Sequence, residues 1–358
     1  MRVLLIHQVF ASDKDPGGVR HYELARHCAA LGCRFTIVTS RVSYLTGQHK
    51  EKPAPRSRHD EPEVLYAYAL ADVHKSFIRR VLGFFLFMFA ALWPSLRQSG
   101  VDVVMGTSPP MFQAVTAWMV SVVKRRPFVL EVRDLWPEFA VDMGVLRHKG
   151  LIYLSRRLEM FLYRRAAHIV VNSPAYTDYL IAKGIPASKV TLVANGTDSA
   201  RFCIKADGRP FRKQWRLEDA FLVLYAGALG RANDLATLLQ AAALLKSETR
   251  IHFLLVGDGK DKSRLQQKVG ELGLDNVTFA GTVPRTDMPA LLAECDACVA
   301  ILKDIPMFRT TYPNKVFDYM ASARPTILAI DGVIRQVLEA AAGGIAVPPG
   351  DARALAEA

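Results

Sequence analysis

Cysteine is scarce, with five in 358 residues, at positions 28, 33, 203, 295 and 298. That excludes a disulfide scaffold, and Cys295-x-x-Cys298 has no second pair at zinc-finger spacing. The pair falls in AECDACVAIL, between a helix pattern and a strand pattern, and reads as core packing in a reduced, cytosolic compartment. Long apolar runs are missing too. The longest, Val81 to Trp93, has 13 residues, fewer than the ~18 of an uninterrupted membrane-crossing stretch. Met1-Arg2 leads straight into VLLIHQVF, too short for a signal peptide's apolar region, and no small-residue cleavage site follows. The chain has no H-E-x-x-H, G-x-S-x-G, G-x-G-x-x-G or Walker A string. Asp13-x-Asp15 precedes a Gly-Gly turn rather than lying between apolar runs, so no metal site is expected.

What remains is globular: 51% apolar and 22% charged residues, at a length that suits two domains. The net charge of +12 is uneven. Residues 1–190 hold 26 Lys and Arg against 15 Asp and Glu, whereas residues 191–358 hold 20 against 19. A first half at +11 implies an anionic partner: nucleic acid, acidic lipid or a phosphorylated substrate. No aromatic-rich basic module supports nucleic acid.

Strand and helix patterns alternate from end to end. Strand runs are RVLLIHQVF (2–10), RFTIVTS (34–40), VLYAYAL (64–70), VDVVMGTS (101–108), PFVLEVRD (127–134) and HIVVNS (168–173). Helix patterns cover 19–31, 76–99, 112–124 and 153–167. Residues 41–63 are polar, carry Pro53, Pro55 and Pro62, and read as a mobile loop. Six further strands are expected at 221–227, 251–259, 276–281, 297–302, 325–330 and 344–350. Short continuous apolar strands between helices predict parallel sheets covered on both faces. The fold class is therefore α/β, with two Rossmann-like domains, 1–195 and 196–358, facing across a cleft. The non-periodic stretch 195–210 is the natural linker.

Ligands of open α/β sheets bind at the carboxyl ends of strands, so the loops there carry the candidates. Gly17-Gly18 follows the first strand and allows close backbone approach to a phosphate, or makes a plain turn. Glu131-Val132-Arg133-Asp134-Leu135-Trp136-Pro137-Glu138 crowds three carboxylates at a strand end. They either handle hydroxyls and protons or form an ion-pair cluster that holds the loop. Asp134 and Glu138, with His7 at the end of the first strand, are the catalytic candidates. Gly227 and Gly257 follow the first two strands of the second half, and Arg231 could grip a diphosphate. Pro313-Asn314-Lys315 opens a helix whose first N–H groups and lysine suit an anion. Asp318, one turn on, can accept from vicinal hydroxyls such as those of a ribose.

Taken in order, HQVF…DPGG, EVRDLWPE, VANGTDSARF, YAGALG, LLVGDG, NVTFAGTVPRTDMPALLAECDA and PNKVFDYMASARPTI resemble a retaining family-4-type glycosyltransferase of the GT-B fold. The RDLWPE string is most similar to the WbuB-like bacterial group that builds surface polysaccharides. The resemblance spans essentially the whole chain. It implies a nucleotide-diphosphate sugar, UDP-linked, as co-substrate on the second domain. It also implies no metal or other cofactor, and retained anomeric configuration. By position, Gly17 and Gly18 would face the donor, Asn314 and Lys315 the diphosphate, Asp318 the ribose, and the backbone of Val283 the base. The first domain would take a polyprenyl-diphosphate-linked glycan acceptor.

The chain departs from the family at three places. Thr310 stands where the family's first glutamate would be, and Ala228 and Asn233 where a phosphate-binding Arg and Lys would be. The family's final helix, crossing back to the first domain, would lie beyond residue 358. The apolar segment 81–93 reads either as a core helix or as an interfacial one, with Lys75, Arg79 and Arg80 on acidic head groups. The basic first half favours the second reading. It places the protein in the cytoplasm, peripheral at the inner face of the plasma membrane. A GT-B UDP-sugar epimerase or hydrolase, and an inactive nucleotide-sugar-binding partner, are the rival readings.

Overall fold

A computed structural model describes residues 1–15, 17–43, 47–49, 61–71, 77–202 and 210–358. Pro16, His74, Lys75 and most of the loop expected at 41–63 lie outside the described residues. The chain forms two compact units: Met1–Ser12 with Val19–Ala194, and Asp13–Gly18 with Asn195–Ala358.

The first unit is built on seven parallel strands in the order β3-β2-β1-β4-β5-β6-β7. These are β1 (Arg2–Ile6), β2 (Arg34–Thr39), β3 (Glu63–Tyr66), β4 (Val103–Ser108), β5 (Phe128–Val132), β6 (His168–Val171) and β7 (Val190–Leu192). The uninterrupted apolar strands are buried as their sequences require: Leu4, Leu5 and Ile6 are fully enclosed. Helices α1 (Arg20–Ala30), α2 (Phe77–Ala90), α3 (Leu92–Arg97), α4 (Met111–Lys124), α5 (Glu138–Asp142), α6 (Lys149–Arg165) and α7 (Pro174–Ala182) occur along this half of the chain. Strand order reverses between β1 and β4, which makes their carboxyl ends the natural ligand crevice.

The single helix expected over 76–99 is two. Pro94 has no N–H to offer the Ala90 carbonyl, and the chain breaks at Ala91 before α3 begins. One face of this pair is core: Phe87, Met88, Ala91 and Ser95 are buried, and the Thr116 hydroxyl of α4 donates to the Met88 carbonyl at 2.9 Å. Another face is bare. Leu82, Phe85, Leu86, Phe89, Trp93 and Leu96 recur at helical spacing and are all exposed, Trp93 at 64%. Averaged over its length, Arg79–Arg97 is also long and apolar enough to cross a membrane, although no unbroken apolar run is.

The second unit repeats the scheme with six parallel strands, β10-β9-β8-β11-β12-β13. They are β8 (Phe221–Ala226), β9 (Ile251–Val256), β10 (Val277–Gly281), β11 (Ala297–Ile301), β12 (Thr326–Ala329) and β13 (Gly344–Ala346). The helices are α8 (Ser199–Phe202), α9 (Pro210–Trp215), α10 (Leu235–Leu244), α11 (Lys262–Leu272), α12 (Met288–Glu294), α13 (Asn314–Ala321), α14 (Val333–Ala340) and α15 (Ala352–Glu357). The reversal here lies between β8 and β11. Cys295 and Cys298 are buried in the core beside Leu222 and Tyr319.

Candidate active site

In the second unit the loop after β8 and the helix after β11 meet at the reversal. Lys315, second residue of α13, lays its ammonium 4.0 Å from the centroid of the Tyr225 ring and 3.4 Å from Asn233 Oδ1. A Cβ built on Gly227 would lie 2.6 Å from that ammonium, so glycine leaves the space Lys315 occupies. Burial pushes the Lys315 amine down to about 7. Asn233 stands where the resemblance places a phosphate-binding lysine, and the ammonium of Lys315 reaches it instead. The early N–H groups of α13 have no preceding helical carbonyl to bond, which adds partial positive charge at the same end.

The neighbouring loops are locked backbone to backbone. At Gly257, with φ +142°, a Cβ would fall 1.8 Å from the Gly227 carbonyl oxygen. Gly257 therefore has a packing reason to be glycine, independent of any ligand. The loop Asp13–Gly18 groups with this unit, and a Cβ on Gly18 would lie 3.9 Å from Asn314 Nδ2. Gly17 has φ +120° and open space where a Cβ would be. Gly17, Gly18, Asn314, Lys315 and Gly227 are thus grouped at one end of one sheet. Arg231 is exposed and forms no ion pair among the described residues. Val283 is half-buried against the core, on the loop after β10.

Asp318, expected to accept from ribose hydroxyls, already has a partner within the second unit. Both its oxygens accept from the guanidinium of Arg285, at 2.5 and 2.6 Å. Arg285 had no signal in the sequence, because its partner lies 33 positions on. Thr310, at the place of the family's first glutamate, donates to the Met307 carbonyl at 2.6 Å within a short 3₁₀ turn.

The first unit gathers a different set at the carboxyl ends of β1, β4 and β5. Glu131 is fully buried and accepts from Arg20 Nε at 2.8 Å and from His21 Nε2. The His7 ring lies 4.4 Å from the His21 ring, tilted by 58°. Burial holds His21 below its ordinary range against the pull of Glu131. Desolvation would raise the Glu131 carboxyl, but His21, Arg20 and Arg133 together bring it well below the usual carboxylate range. His21, Arg20 and Arg133 thus hold the buried Glu131 in its ionised form. The two other guanidinium nitrogens of Arg20 donate to the carbonyls of Val193 and Ala194, at 2.6 and 3.1 Å.

The three catalytic candidates are not equivalent here. Asp134 is half-buried, and burial pushes its carboxyl up to about 6 despite Arg133. His7 is only 4% exposed and packs on His21. Glu138 is engaged in an ion pair: both its oxygens accept from Arg156 of α6 at 2.9 Å, and Lys183 lies 4.0 Å away. Arg156 holds its pKa below the ordinary range, so this carboxylate ties α5 to α6. At Glu138 the strand-end cluster follows its ion-pair reading. Among the described residues no group of three or more His, Cys, Asp or Glu could hold a metal ion.

Comparison with known proteins matches this two-unit architecture. Residues 17–196 match the family described as Glycosyl transferase 4-like domain, and residues 220–358 match Glycosyl transferases group 1. WbjE of Pseudomonas aeruginosa, named a probable glycosyltransferase, is 26% identical over 276 residues, covering 75% of this chain and 68% of that protein. WcaI of Escherichia coli (strain K12), named for colanic acid biosynthesis, is 26% identical over 311 residues, covering 84% and 76%. The crystal structure of HepE from Anabaena in complex with UDP-glucose superimposes with a TM-score of 0.73 at 19% identity, covering 100% of this chain and 88% of HepE. With both of its sheets carrying the GT-B pattern and both halves matched, the chain belongs to the family-4-type, GT-B glycosyltransferases.

Proposed function

We propose that this glycosyltransferase moves a sugar from a UDP-linked donor to a polyprenyl-diphosphate-linked glycan, with retained configuration, during assembly of a bacterial surface polysaccharide. The observation that carries the reading is Lys315, half-buried against Tyr225 at the start of α13 beside Gly227. A leaving nucleoside diphosphate gains negative charge in an oxocarbenium-like transition state, and the positive groups that meet it must already be in place. Lys315 and the α13 N-terminus supply that charge, with Gly17 and Gly18 giving backbone approach. HepE, of the same fold, binds UDP-glucose, and the name of WcaI refers to colanic acid, which supports the donor and the pathway class.

Among the described residues no side chain stands out as a covalent nucleophile, so the step proposed is a front-face exchange. The anomeric carbon–phosphate oxygen bond breaks, and the acceptor oxygen bonds to the same face of that carbon. Its proton passes to the departing phosphate oxygen. Lys315 holds that phosphate. Asp134, whose carboxyl burial brings to about 6, is the first unit's candidate for handling an acceptor hydroxyl. Transfer in this reading needs no metal ion.

The acceptor's lipid places the first unit at a bilayer. The exposed stripe from Leu82 to Leu96 enters the head-group region, flanked by Arg79, Arg80 and Arg97, the last 4.4 Å over the Trp93 ring. Thermal stabilisation by UDP, GDP and ADP, with and without EDTA, tests the donor site. UDP-selective, EDTA-insensitive stabilisation is expected; no response to any nucleotide overturns the reading. Flotation with anionic vesicles tests the surface: Arg79→Glu with Arg80→Glu should abolish it, and retained flotation refutes the docking face.

A further inference from the structure

Arg285 is held on three sides. Its fork grips both oxygens of Asp318, Nη2 lies 3.5 Å from Thr197 Oγ1, and its guanidinium carbon sits 5.2 Å from the centroid of the Phe202 ring. The Arg285 side chain is 18% exposed and that of Asp318 7%. A buried ion pair of this kind roughly breaks even against apolar packing, so stability alone does not account for it. Geometry does. A carboxylate offers about four lone pairs in its plane. The fork takes one from each oxygen and fixes the plane, and the other two then point in set directions.

We infer that Arg285 is a positioning residue: it fixes the Asp318 carboxylate so that the two remaining lone pairs receive the vicinal hydroxyls of the donor ribose. The contact to Thr197 ties that orientation to the first residues of the segment Asn195–Ala358. The inference rests on the reading that the donor nucleotide lies along α13. It adds that the ribose is recognised by a pair rather than by one carboxylate, and that lysine cannot replace arginine. A lysine keeps the charge but has no planar fork.

The test compares Kd for UDP and 2′-deoxy-UDP by calorimetry on the full chain. The wild type should prefer UDP by roughly 10- to 100-fold, the loss of one hydrogen bond to a charged group. In Arg285→Lys and Arg285→Gln the preference should fall below about threefold, with UDP binding still measurable. Asp318→Asn should show the same small preference, and Arg285→Lys combined with Asp318→Asn should lower it no further. A merely structural arginine would lower Tm and weaken both ligands equally, and an unchanged ratio overturns the inference. So does failure of both Arg285 variants to fold. A wild type that binds UDP with no preference refutes ribose recognition by Asp318. A wild type that binds no UDP refutes the donor site itself.

Discussion

Nucleotide affinity should fall as pH rises, and Lys315 is the reason. In the free protein its amine is brought down to about 7 by burial against Tyr225, with the neutral oxygen of Asn233 3.4 Å away. A diphosphate beside it favours the charged form and returns the pKa towards the ordinary ~10.4. Binding above pH 7 must therefore take up a proton. With a free pKa of about 7, Kd should weaken roughly 50-fold between pH 7 and pH 9, approaching tenfold per unit. At pH 8 about 0.9 proton should enter per nucleotide bound, which calorimetry in buffers of different ionisation enthalpy measures directly.

The ligand-free protein should show the opposite trend. Between about pH 7 and 10 the unfolded chain holds a proton on this lysine and the folded one does not, so stability rises with pH. The slope is at most about 1.4 kcal/mol per pH unit, the limit for a difference of one bound proton, and solvent access at Lys315 lowers it. Lys315→Met should remove both trends and bind nucleotide weakly at every pH. A Kd that is flat from pH 7 to 9 in the wild type, or a slope that survives in Lys315→Met, refutes the assignment.

The glycines separate packing from ligand approach. Gly257→Ala, with its Cβ 1.8 Å from a backbone oxygen, should destabilise by about 3 kcal/mol or more in denaturant unfolding. Gly17→Ala meets nothing and should cost only the ~1–2 kcal/mol of its positive φ, with its larger effect on nucleotide Kd. Glu138→Gln should leave kcat unchanged and cost no more than about 1 kcal/mol, since its partner Arg156 is half exposed. Asp134→Asn should instead lower kcat and remove an acid limb near pH 6 from the rate profile. The same change should stabilise the fold above pH 6 by up to about 3 kcal/mol, a gain that vanishes below pH 4, where both residues are neutral.

The architecture was legible because its signals are local. Each of the six strands expected in the second half appears, since an apolar run bounded by Gly or Pro specifies a buried parallel strand without reference to its partners. The meeting of Gly227 with Lys315 followed from topology: both come after the strands that flank the reversal. What stayed hidden depends on pairs far apart in sequence. Glu131 and Arg20 are 111 positions apart, and Arg285 and Asp318 are 33 apart. No periodicity links them. The α2–α3 surface was half legible: composition alone could not say which apolar residues face α4 and which face out.

The EVRDLWPE segment shows how far residue type falls short of role. Glu131, Asp134 and Glu138 lie within eight positions and have the same chemistry in water. Glu131 ends inside the sheet under Arg20 and His21 and stays an anion, so it can orient groups but not exchange a proton near neutrality. Glu138 starts a helix and meets Arg156, which also keeps it ionised. Asp134 lies in the turn between them, where burial outweighs the pull of Arg133 and its carboxyl is brought to about 6. Environments that push neighbouring carboxyls apart in this way separate their tasks. Glu131 fixes Arg20, Glu138 fixes α6, and Asp134 alone of the three can change charge in the pH range where a transferase of this kind must work. In the proposed reaction, burial and partners therefore give the acceptor-handling role in this loop to Asp134 rather than to Glu131 or Glu138.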